Sequence, residues 1–381
     1  MSILDDSLKM NALDTQDMLG IVERSPKFLE WCLQAFELDK KASIEKKIKS
    51  FIPKHVTGIF ISGMGGSAIS GDIIFDWLKD RIKIPIVITR EYRLPAFIDK
   101  SWLGFFLSYS GNTEETLSTY VDAKQRGIKC IGITSGGLLE EYLGKTGDLC
   151  LKVPNGYQPR AAMLYLFTTL AIAVANCNFL EKQALIDDLQ ESLSVLITLS
   201  AKYAKNVPFK DNPAKQHAAA IHGTAIIVYG FDCYQSVARR FKSQFNENGK
   251  NPSYFDVFSE LCHNESVGWE IDNNIARNFS CIFLRDPAQE SEPITVRIEF
   301  TKRIVASKAK AILELLPAGK SKLARMLSLM YMADFTSTYL ALLNGSDPTP
   351  VKFIQGLKDE LAKKVNLLTT IAEKIDKLRK K

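Results

Sequence analysis

The sequence has little of what marks an exported, disulfide-held or metal-binding protein. Its 381 residues include seven cysteines, an odd number, and no two of them are spaced as C-x-x-C. This usage predicts free thiols in a reducing compartment rather than a disulfide framework. The first residues, MSILDDSLKM, are acidic and contain no apolar signal core. We therefore expect a cytoplasmic protein.

A strong charge of either sign is also missing. The chain has 49 basic and 43 acidic residues, which give a net charge of +6, and a basic excess lies only in the tail from Lys363. No readable DNA- or RNA-binding motif is present, so we expect no nucleic-acid partner. His217 and His222 are two of only four histidines and have no carboxylate cluster beside them. The sequence therefore predicts no metal site and no cofactor.

One uncharged run, between Arg160 and Glu181, is long enough to span a bilayer. It contains two threonines and two asparagines, and we find no second run of this kind. We interpret it as a helix buried at the centre of a soluble α/β protein, and we expect no membrane partner.

Apolar runs alternate with helical patterns along the chain, as in β-α-β units. In the first half, five runs predict a parallel sheet with helices on both faces: GIFISGM, IPIVITRE, GFFLSYS, IKCIGITS and DLCLKVP. In the second half, TAIIVYG, NFSCIFLRD and AKAILELLPA predict strands, while the segment around SYFDVF has no assigned type. We predict a helical extension over 1–50, α/β subdomains over 51–205 and 206–345, and a helical tail over 346–381.

Two of the predicted strands run directly into loops of glycine and hydroxyl residues. These are IFISGMGGSAISGD at 59–72 and FFLSYSGNTEET at 105–116. Each has the pattern of strand, tight turn and first helical turn, which directs backbone amides and hydroxyls at an anion. Neither loop contains lysine, which favours an organic phosphate ester over a nucleoside triphosphate with its magnesium. Asn112 and Glu115 have the spacing of a capping box, so we expect the second helix to begin there.

The first loop also fits a dinucleotide-binding fingerprint, with Gly63, Gly65 and Ala68 in the spacing G-x-G-x-x-A. That motif alone would favour an NAD(P)-dependent oxidoreductase. However, the next predicted strand ends at Arg90 and Glu91, which places an arginine before the acidic residue. The fingerprint also leaves the second hydroxyl-rich loop without a role.

Several blocks together resemble the bifunctional phosphoglucose/phosphomannose isomerases, which are two-domain members of the sugar isomerase (SIS) fold group. The blocks are GMGGSAISGD, SYSGNTEET, the PRAA segment, NENGKNPSYFDVF, ELCHNESVGWE and DPTPV with the later LK, in this order over about 55–360. The resemblance implies two tandem SIS-type subdomains, each a doubly wound, flavodoxin-like parallel sheet. It also implies metal-independent interconversion of glucose 6-phosphate and mannose 6-phosphate with fructose 6-phosphate through an enediolate.

The resemblance further implies a role for each matching residue. Glu247 would be the base, Arg160 would lie near the reacting carbons, and His263 and Lys358 would open the sugar ring. The family forms dimers, so His263 would act across a homodimer interface. The substrate phosphate would be held by Gly65, Gly66, Ser67, Ser108, Ser110 and Thr113.

The residues themselves leave alternatives open for each role. Glu247 could be a surface glutamate at a helix end, and Arg160 could form a structural salt bridge. Asn264 and Glu265 could orient the ring of His263 for its proposed role, but the residue could instead be an ordinary capping histidine, and Lys358 could be a solvated helix lysine. At the level of the whole protein, the alternatives are a sugar-phosphate-binding regulator of the same fold and the NAD(P)-dependent oxidoreductase.

Overall fold

The structure is a computed structural model that describes residues 3–37, 44–271, 274–365 and 367–379. The α-helices of these residues are α1 (Ser7–Leu13), α2 (Met18–Arg24), α3 (Pro26–Glu37), α4 (Ile44–Phe51), α5 (Gly65–Leu78), α6 (Glu114–Gln125), α7 (Gly137–Thr146), α8 (Met163–Ala175), α9 (Lys182–Tyr203), α10 (Pro213–Ile221), α11 (Gln235–Glu247), α12 (Glu292–Ala306), α13 (Lys322–Leu343), α14 (Lys352–Lys364) and α15 (Leu367–Arg379).

The strands are β1 (Gly58–Ser62), β2 (Ile86–Thr89), β3 (Trp102–Leu107), β4 (Lys129–Thr134), β5 (Leu149–Lys152), β6 (Ala225–Phe231), β7 (Ser253–Phe258), β8 (Phe279–Leu284) and β9 (Ala311–Leu315). Short 3-10 helices span Ile3–Asp5, Phe209–Asp211, Asp232–Tyr234, Glu260–His263, Glu265–Glu270 and Asn274–Asn278.

The chain divides into two compact units, each built on one sheet. The first-sheet unit comprises 27–187 and 351–381, and the second-sheet unit comprises 1–26 and 188–350. Both units are therefore discontinuous in sequence, whereas the predicted domains are consecutive segments. The bounds of those segments stay a prediction.

The first sheet has the order β2-β1-β3-β4-β5, with every neighbouring pair parallel. This confirms the five predicted strands and the doubly wound topology. The order is the flavodoxin-like one and not that of the dinucleotide-binding Rossmann sheet. The fold thus adds a second argument against the dinucleotide fingerprint.

Helices cover both faces of the first sheet because its strands are apolar on both sides. On one face, Phe60 and Phe106 belong to a buried cluster that includes Leu117 of α6, Leu143 of α7 and Ile375 of α15. On the other face, helices α5 and α8 pack together, with the rings of Trp77 and Phe167 6.1 Å apart.

The second sheet has the order β7-β6-β8-β9 and is also parallel throughout. Helix α11 packs on β6 and β7, and helix α13 packs on α10 and α11. Helix α12 packs on β7 and β8. The segment SYFDVF, which the sequence pattern did not assign, is strand β7, and it pairs in parallel with β6.

The long apolar helices lie inside their units. Helix α8 falls within the uncharged run after Arg160, but it has only 13 residues, and all of them are buried. This confirms the predicted central helix and makes it too short to cross a bilayer. Among the described residues, α13 is the helix long and apolar enough to do so, and 94% of its apolar window is buried. Helix α13 is not a second uncharged run, because it contains Arg325 and Asp334, and it packs inside its unit.

Candidate functional site

The two predicted phosphate loops follow adjacent strands at the topological switch point of the first sheet. Strands β1 and β3 are parallel neighbours, with Ser62 paired to Phe106 at their carboxyl ends. The chain leaves β1 towards β2 on one side and later resumes at β3 on the other side. In open α/β sheets, ligands bind in the crevice that such a reversal creates. The two loops therefore flank the position where a ligand of this unit is expected.

The first loop ends in the first turn of helix α5. The backbone amides of Ser67 and Ala68 both donate to Met64 O, at 3.0 and 3.3 Å. The amides of Gly65 and Gly66 are consequently the ones that this helix start offers to an anion, as helix N-termini generally do. Ser67 is nearly buried, with 4% of its surface exposed. A phosphate here would meet two amides and one hydroxyl.

The second loop is held by its own hydroxyl groups. Ser108 Oγ and Thr113 Oγ1 are 2.9 Å apart, and Ser110 Oγ accepts from the Asn112 amide at 3.3 Å. Gly111 has φ +71°, and a Cβ on it would lie 1.8 Å from Gly136 O. Only glycine fits there, so the loop can close tightly around an anion.

A third glycine-rich loop supports the second one, and our sequence reasoning missed it. It follows β4 as Thr134 to Gly137, where Thr134 Oγ1 donates to Gly136 O at 2.7 Å. Leu139 N donates to Gly111 O at 2.9 Å, which joins helix α7 to the second loop. The signal was present, because TSGG after an apolar strand repeats the pattern of the first two loops.

The predicted capping box at Asn112 is wrong. Helix α6 begins at Glu114 with Thr113 as its N-cap, and Thr113 makes no side-chain capping bond. Asn112 Oδ1 instead accepts from the Leu138 amide at 3.0 Å. The asparagine therefore stabilises the contact between the second and third loops. Burial, together with the charge of Glu115, raises the pKa of Glu114 in the first turn.

Arg160 lies beside the first loop. It is 2% exposed and precedes helix α8, whose first residue is Met163. A Cβ on Gly66 would lie 3.1 Å from Arg160 Cα and 3.1 Å from Pro159 O. The PRAA segment thus packs against the backbone of the phosphate loop, and the absence of a side chain at Gly66 permits this approach. Arg160 is thus a buried, positively charged residue of the segment that packs against the start of α5.

Glu247 is the last residue of helix α11 and is half-buried. Its helix is fixed to α13 by Arg240, whose Nε and Nη2 lie 3.0 Å from the two carboxylate oxygens of Asp334. Gln244 Nε2 donates to Asp334 Oδ1 at 2.8 Å. About two turns before Glu247, the helix is therefore held by a buried ion pair, and one turn before it by the bond of Gln244.

The residues after Glu247 hold the helix end in place. Asn248 Nδ2 donates to Ser337 Oγ at 3.1 Å, and Asn344 Nδ2 donates to Gly249 O at 2.8 Å. Lys250, at φ +51°, donates from Nζ to Glu247 O at 2.5 Å and to Pro348 O at 3.1 Å. The NENGK block thus fixes the backbone of the helix end that bears Glu247.

His263 is exposed and ends the 3-10 helix Glu260–His263. Its neighbours were expected to orient the imidazole, and this expectation was wrong. Asn264 Nδ2 donates to Glu260 Oε1 at 2.8 Å, and Asn264 Oδ1 accepts from the Glu265 amide at 2.5 Å. Glu265 accepts from Tyr229 Oη at 2.7 Å. These bonds fix the segment that bears His263 rather than its ring.

Glu247 and His263 lie at opposite edges of the second sheet. Helix α11 ends before the amino end of β7, whereas the histidine segment follows its carboxyl end at Phe258. A six-residue strand separates the two edges by about 17 Å. The structure therefore does not bring these two predicted catalytic residues of one chain together.

Lys358 lies on helix α14 of the first-sheet unit, a helix without a buried residue. Helix α14 begins at Lys352 with Val351 as its N-cap, directly after the DPTP segment. The fold of this unit therefore leaves the lysine exposed.

The first-sheet unit brings seven of the predicted site residues to the region of one switch point: Gly65, Gly66, Ser67, Ser108, Ser110, Thr113 and Arg160. This arrangement suits a phosphate monoester, because the two loops offer backbone amides and hydroxyls and the backbone of Arg160 packs against the first of them. Over the described parts of the chain, no group of three or more His, Cys, Asp or Glu side chains could hold a metal ion.

Comparison with known proteins agrees with this geometry. A family model described as the bacterial phospho-glucose isomerase C-terminal SIS domain matches residues 210–361. The bifunctional phosphoglucose/phosphomannose isomerase of Caldicellulosiruptor bescii is 39% identical over 330 residues, which cover 86% of this chain and 95% of that protein. The enzyme of the same name from Aquifex aeolicus is 37% identical over 307 residues, with 80% and 91% covered.

Among solved structures, the C-terminal domain of glucosamine-fructose-6-phosphate aminotransferase from Francisella tularensis has a similar fold. It aligns with a TM-score of 0.66 and 17% identity, over 87% of this chain and 98% of that one. At this identity the likeness concerns the fold alone, and it confirms the predicted pair of parallel α/β subdomains. Since two full-length relatives exceed 35% identity, the chain belongs to the bifunctional phosphoglucose/phosphomannose isomerase family.

Proposed function

We propose that this protein interconverts glucose 6-phosphate and mannose 6-phosphate with fructose 6-phosphate, without a metal ion or cofactor. The observation that supports it most is the pair of hydroxyl and glycine loops at one switch point, in a chain of this isomerase family. The loops would supply phosphate ligands, and the interconversion of an aldose with a ketose moves one proton between C1 and C2 and one between their oxygens, which acid-base side chains can do.

The phosphate is proposed to bind at the switch point of the first sheet. Gly65 and Gly66 donate backbone N–H groups at the start of α5, and Ser67 adds a hydroxyl. Ser108, Ser110 and Thr113 supply hydroxyls from the second loop. These neutral donors, with the helix dipole, hold an anion that carries no metal.

Glu247 is proposed to move the proton between C1 and C2. One carboxylate can remove the proton from one carbon and return it to the other when it lies over the edge of the enediolate. The rigid end of α11 suits this task, because the backbone around Glu247 is fixed by Asn344 and Lys250. Arg160 is proposed to stabilise the negative charge that develops on the enediolate oxygens.

His263 and Lys358 are proposed to open the sugar ring, since hexose phosphates in water are mostly cyclic. An imidazole exchanges protons near neutral pH, as protonation of the ring oxygen requires. We propose that the active protein is a homodimer in which His263 serves the site of the partner. The placement of Glu247 and His263 at opposite edges of the same sheet supports this arrangement.

We propose a cytoplasmic location, with neither nucleic acid nor membrane as a partner. All seven cysteines are free thiols, which suits a reducing compartment.

The function is tested by following fructose 6-phosphate formation from each hexose 6-phosphate in the presence of a chelator. We expect both substrates to be converted, and the Glu247→Gln variant to bind them without conversion. Binding without turnover by the wild-type protein would instead favour the sugar-phosphate regulator. Loss of turnover on chelation would contradict the metal-independent mechanism.

The dimer is tested by mixing Glu247→Gln and His263→Gln subunits. If the histidine crosses the interface, a mixed dimer has one site with both changes and one site with neither. Random exchange of equal amounts then restores about a quarter of the wild-type activity in a symmetric dimer. No recovery after verified exchange would mean that each chain uses its own histidine.

A further inference from the structure

One cluster of the second-sheet unit is unexplained by the proposed roles. Tyr229 on β6 and Asp256 on β7 are paired in register, so they project from the same face of the sheet. Cys281 on β8 pairs with Ile227, two residues before Tyr229, and therefore shares that face. Glu265, from the 3-10 helix that follows His263, lies over this group.

A chain of hydrogen bonds ends at two carboxyl groups. Trp269 Nε1 donates to Tyr229 Oη at 2.9 Å, and Tyr229 Oη donates to Glu265 Oε1 at 2.7 Å. The Glu265 carboxyl is in turn hydrogen-bonded to the Asp256 carboxyl. Two carboxyl groups can form such a bond only when one of them keeps its proton. Asp256 Oδ1 also accepts from the Val257 amide at 2.7 Å, which holds this carboxyl against its strand.

We propose that Glu265 and Asp256 share one proton and that this carboxyl pair positions His263 for ring opening. The inference rests on the proposed role of His263, and it makes Glu265 a positioning residue rather than a catalytic one. The connection is short, because Glu265 is two residues from His263 and only Asn264 lies between them. Ser266 Oγ also donates to Leu261 O at 2.9 Å, which ties the two 3-10 helices together.

The charges around the pair agree with a shared proton. Burial, followed by the hydrogen bond and charge of Asp256, raises the pKa of Glu265 to about 7, while the bond from Tyr229 opposes this shift. The Cys281 thiol is buried behind the pair, and burial raises its pKa. From α12, Arg297 lines a neighbouring pocket of about 310 Å³ with Ser266 and Trp269. Glu260, Cys262 and His263 itself are the titratable groups of the preceding 3-10 helix.

The shared proton predicts the direction in which activity changes with pH. Below the raised pKa, Glu265 is neutral, donates to Asp256 and keeps the histidine segment on the sheet. Above it, two negative charges face each other in a half-buried site, and their repulsion favours release of the segment. We therefore expect turnover to lose the contribution of a positioned His263 as the pH rises through about 7.

The test combines a spectroscopic and a kinetic measurement. The chain has four tryptophans, so the Trp269 indole N–H signal can be assigned by comparison with Trp269→Phe in a nitrogen-proton NMR spectrum. In the wild-type protein this signal should titrate with a midpoint of about pH 7. Glu265→Gln should remove the titration and Asp256→Asn should lower its midpoint. Glu270→Gln, an exposed carboxylate of the same 3-10 helix, is the matched control and should change nothing.

The kinetic arm uses the pH profile of kcat. Glu265→Gln imitates the protonated residue, so it should retain activity at pH 6.5 and extend it to higher pH. Glu265→Ala should lower kcat at every pH by about 10- to 100-fold, since misplacement of a catalytic group has this effect. A wild-type indole signal that stays constant from pH 5 to 9 would refute the shared proton. Full activity of Glu265→Ala, in a protein that His263→Gln impairs, would refute the positioning role.

The NMR and kinetic measurements also distinguish failure of this inference from failure of the proposed function. If the wild-type protein fails to isomerise its substrates, both the proposed function and the positioning role are wrong. The titration of the Trp269 indole signal would still decide whether the carboxyl pair exists. An active protein unaffected by His263→Gln would overturn the histidine's role alone.

Discussion

Replacing Glu247 by glutamine isolates the proton transfer from the rest of the proposed mechanism. Glutamine has the same shape but cannot accept a proton at C1 or C2. The helix end that bears the residue is held by backbone bonds from Asn344 and Lys250, which the substitution leaves in place. We therefore expect the free energy of unfolding to change by less than about 0.5 kcal/mol, as for most substitutions that are not fully buried.

Turnover should respond much more strongly. A positioned general base contributes about 10²- to 10⁴-fold, which corresponds to about 3 to 5 kcal/mol of activation free energy. Because the phosphate loops belong to the other unit, KM should change by less than about threefold while kcat falls by the full factor. Glu292→Gln removes an exposed carboxylate of the same unit and is the matched control.

The assay measures both the formation of product and the incorporation of deuterium. Fructose 6-phosphate formation gives kcat and KM, and deuterium uptake from D₂O at C1 and C2 reports the proton transfer directly. We expect the variant to lose product formation and deuterium uptake together. Wild-type rates of uptake in a folded Glu247→Gln protein would refute the assignment of the base, whatever the effect on net turnover.

Three further predictions concern the first-sheet unit. Ser110→Ala should raise KM for hexose phosphates by about 10- to 150-fold with little change in kcat, because one charge-assisted hydrogen bond of roughly 1.5 to 3 kcal/mol is lost; an unchanged KM would exclude this hydroxyl from the phosphate site. Gly111→Ala should lower the melting temperature and weaken phosphate binding, since φ is +71° and the new Cβ would meet Gly136 O at 1.8 Å; thermal denaturation and calorimetry measure both effects. Ile375→Ala should cost about 2 to 5 kcal/mol in chemical denaturation, because this fully buried side chain joins α15 to the core beside α6 and α7; a loss below about 1 kcal/mol would mean that α15 contributes little to the unit.

The fold was predictable where a segment's own pattern determines its structure. The five strands of the first sheet are apolar on both faces, and the helices after β1, β3 and β4 follow small or polar turn residues. Strand β7 escaped this reasoning because Tyr254 is exposed and Asp256 interrupts its apolar residues. An edge strand with one solvated side has no continuous apolar run, so its pairing with β6 decides its structure.

The membership of the units could not be read from the sequence. Residues 1–26 belong to the second-sheet unit, where Tyr331 Oη donates to Val22 O at 2.9 Å. The sequence of helix α2 contains no pattern that indicates a partner more than 300 residues away. Amphipathic helices of similar composition can cover either sheet, so the choice depends on tertiary packing.

In the candidate site, too, the features set by consecutive residues were predictable and the features set by distant residues were not. Loops that bind through backbone amides were predictable, because strand, glycine and helix start are consecutive in sequence. The bonds of Asn112 and Glu265 were not predictable, since their partners Leu138, Tyr229 and Asp256 become neighbours only once strand order and register are set. A neighbour in sequence such as Glu265 beside His263 thus acquires its hydrogen-bond partners only through the fold. Within the second sheet, the register that places Tyr229 beside Asp256 also sets Glu247 and His263 at opposite edges, and the proposal that His263 serves a partner subunit rests on that placement and not on either residue alone.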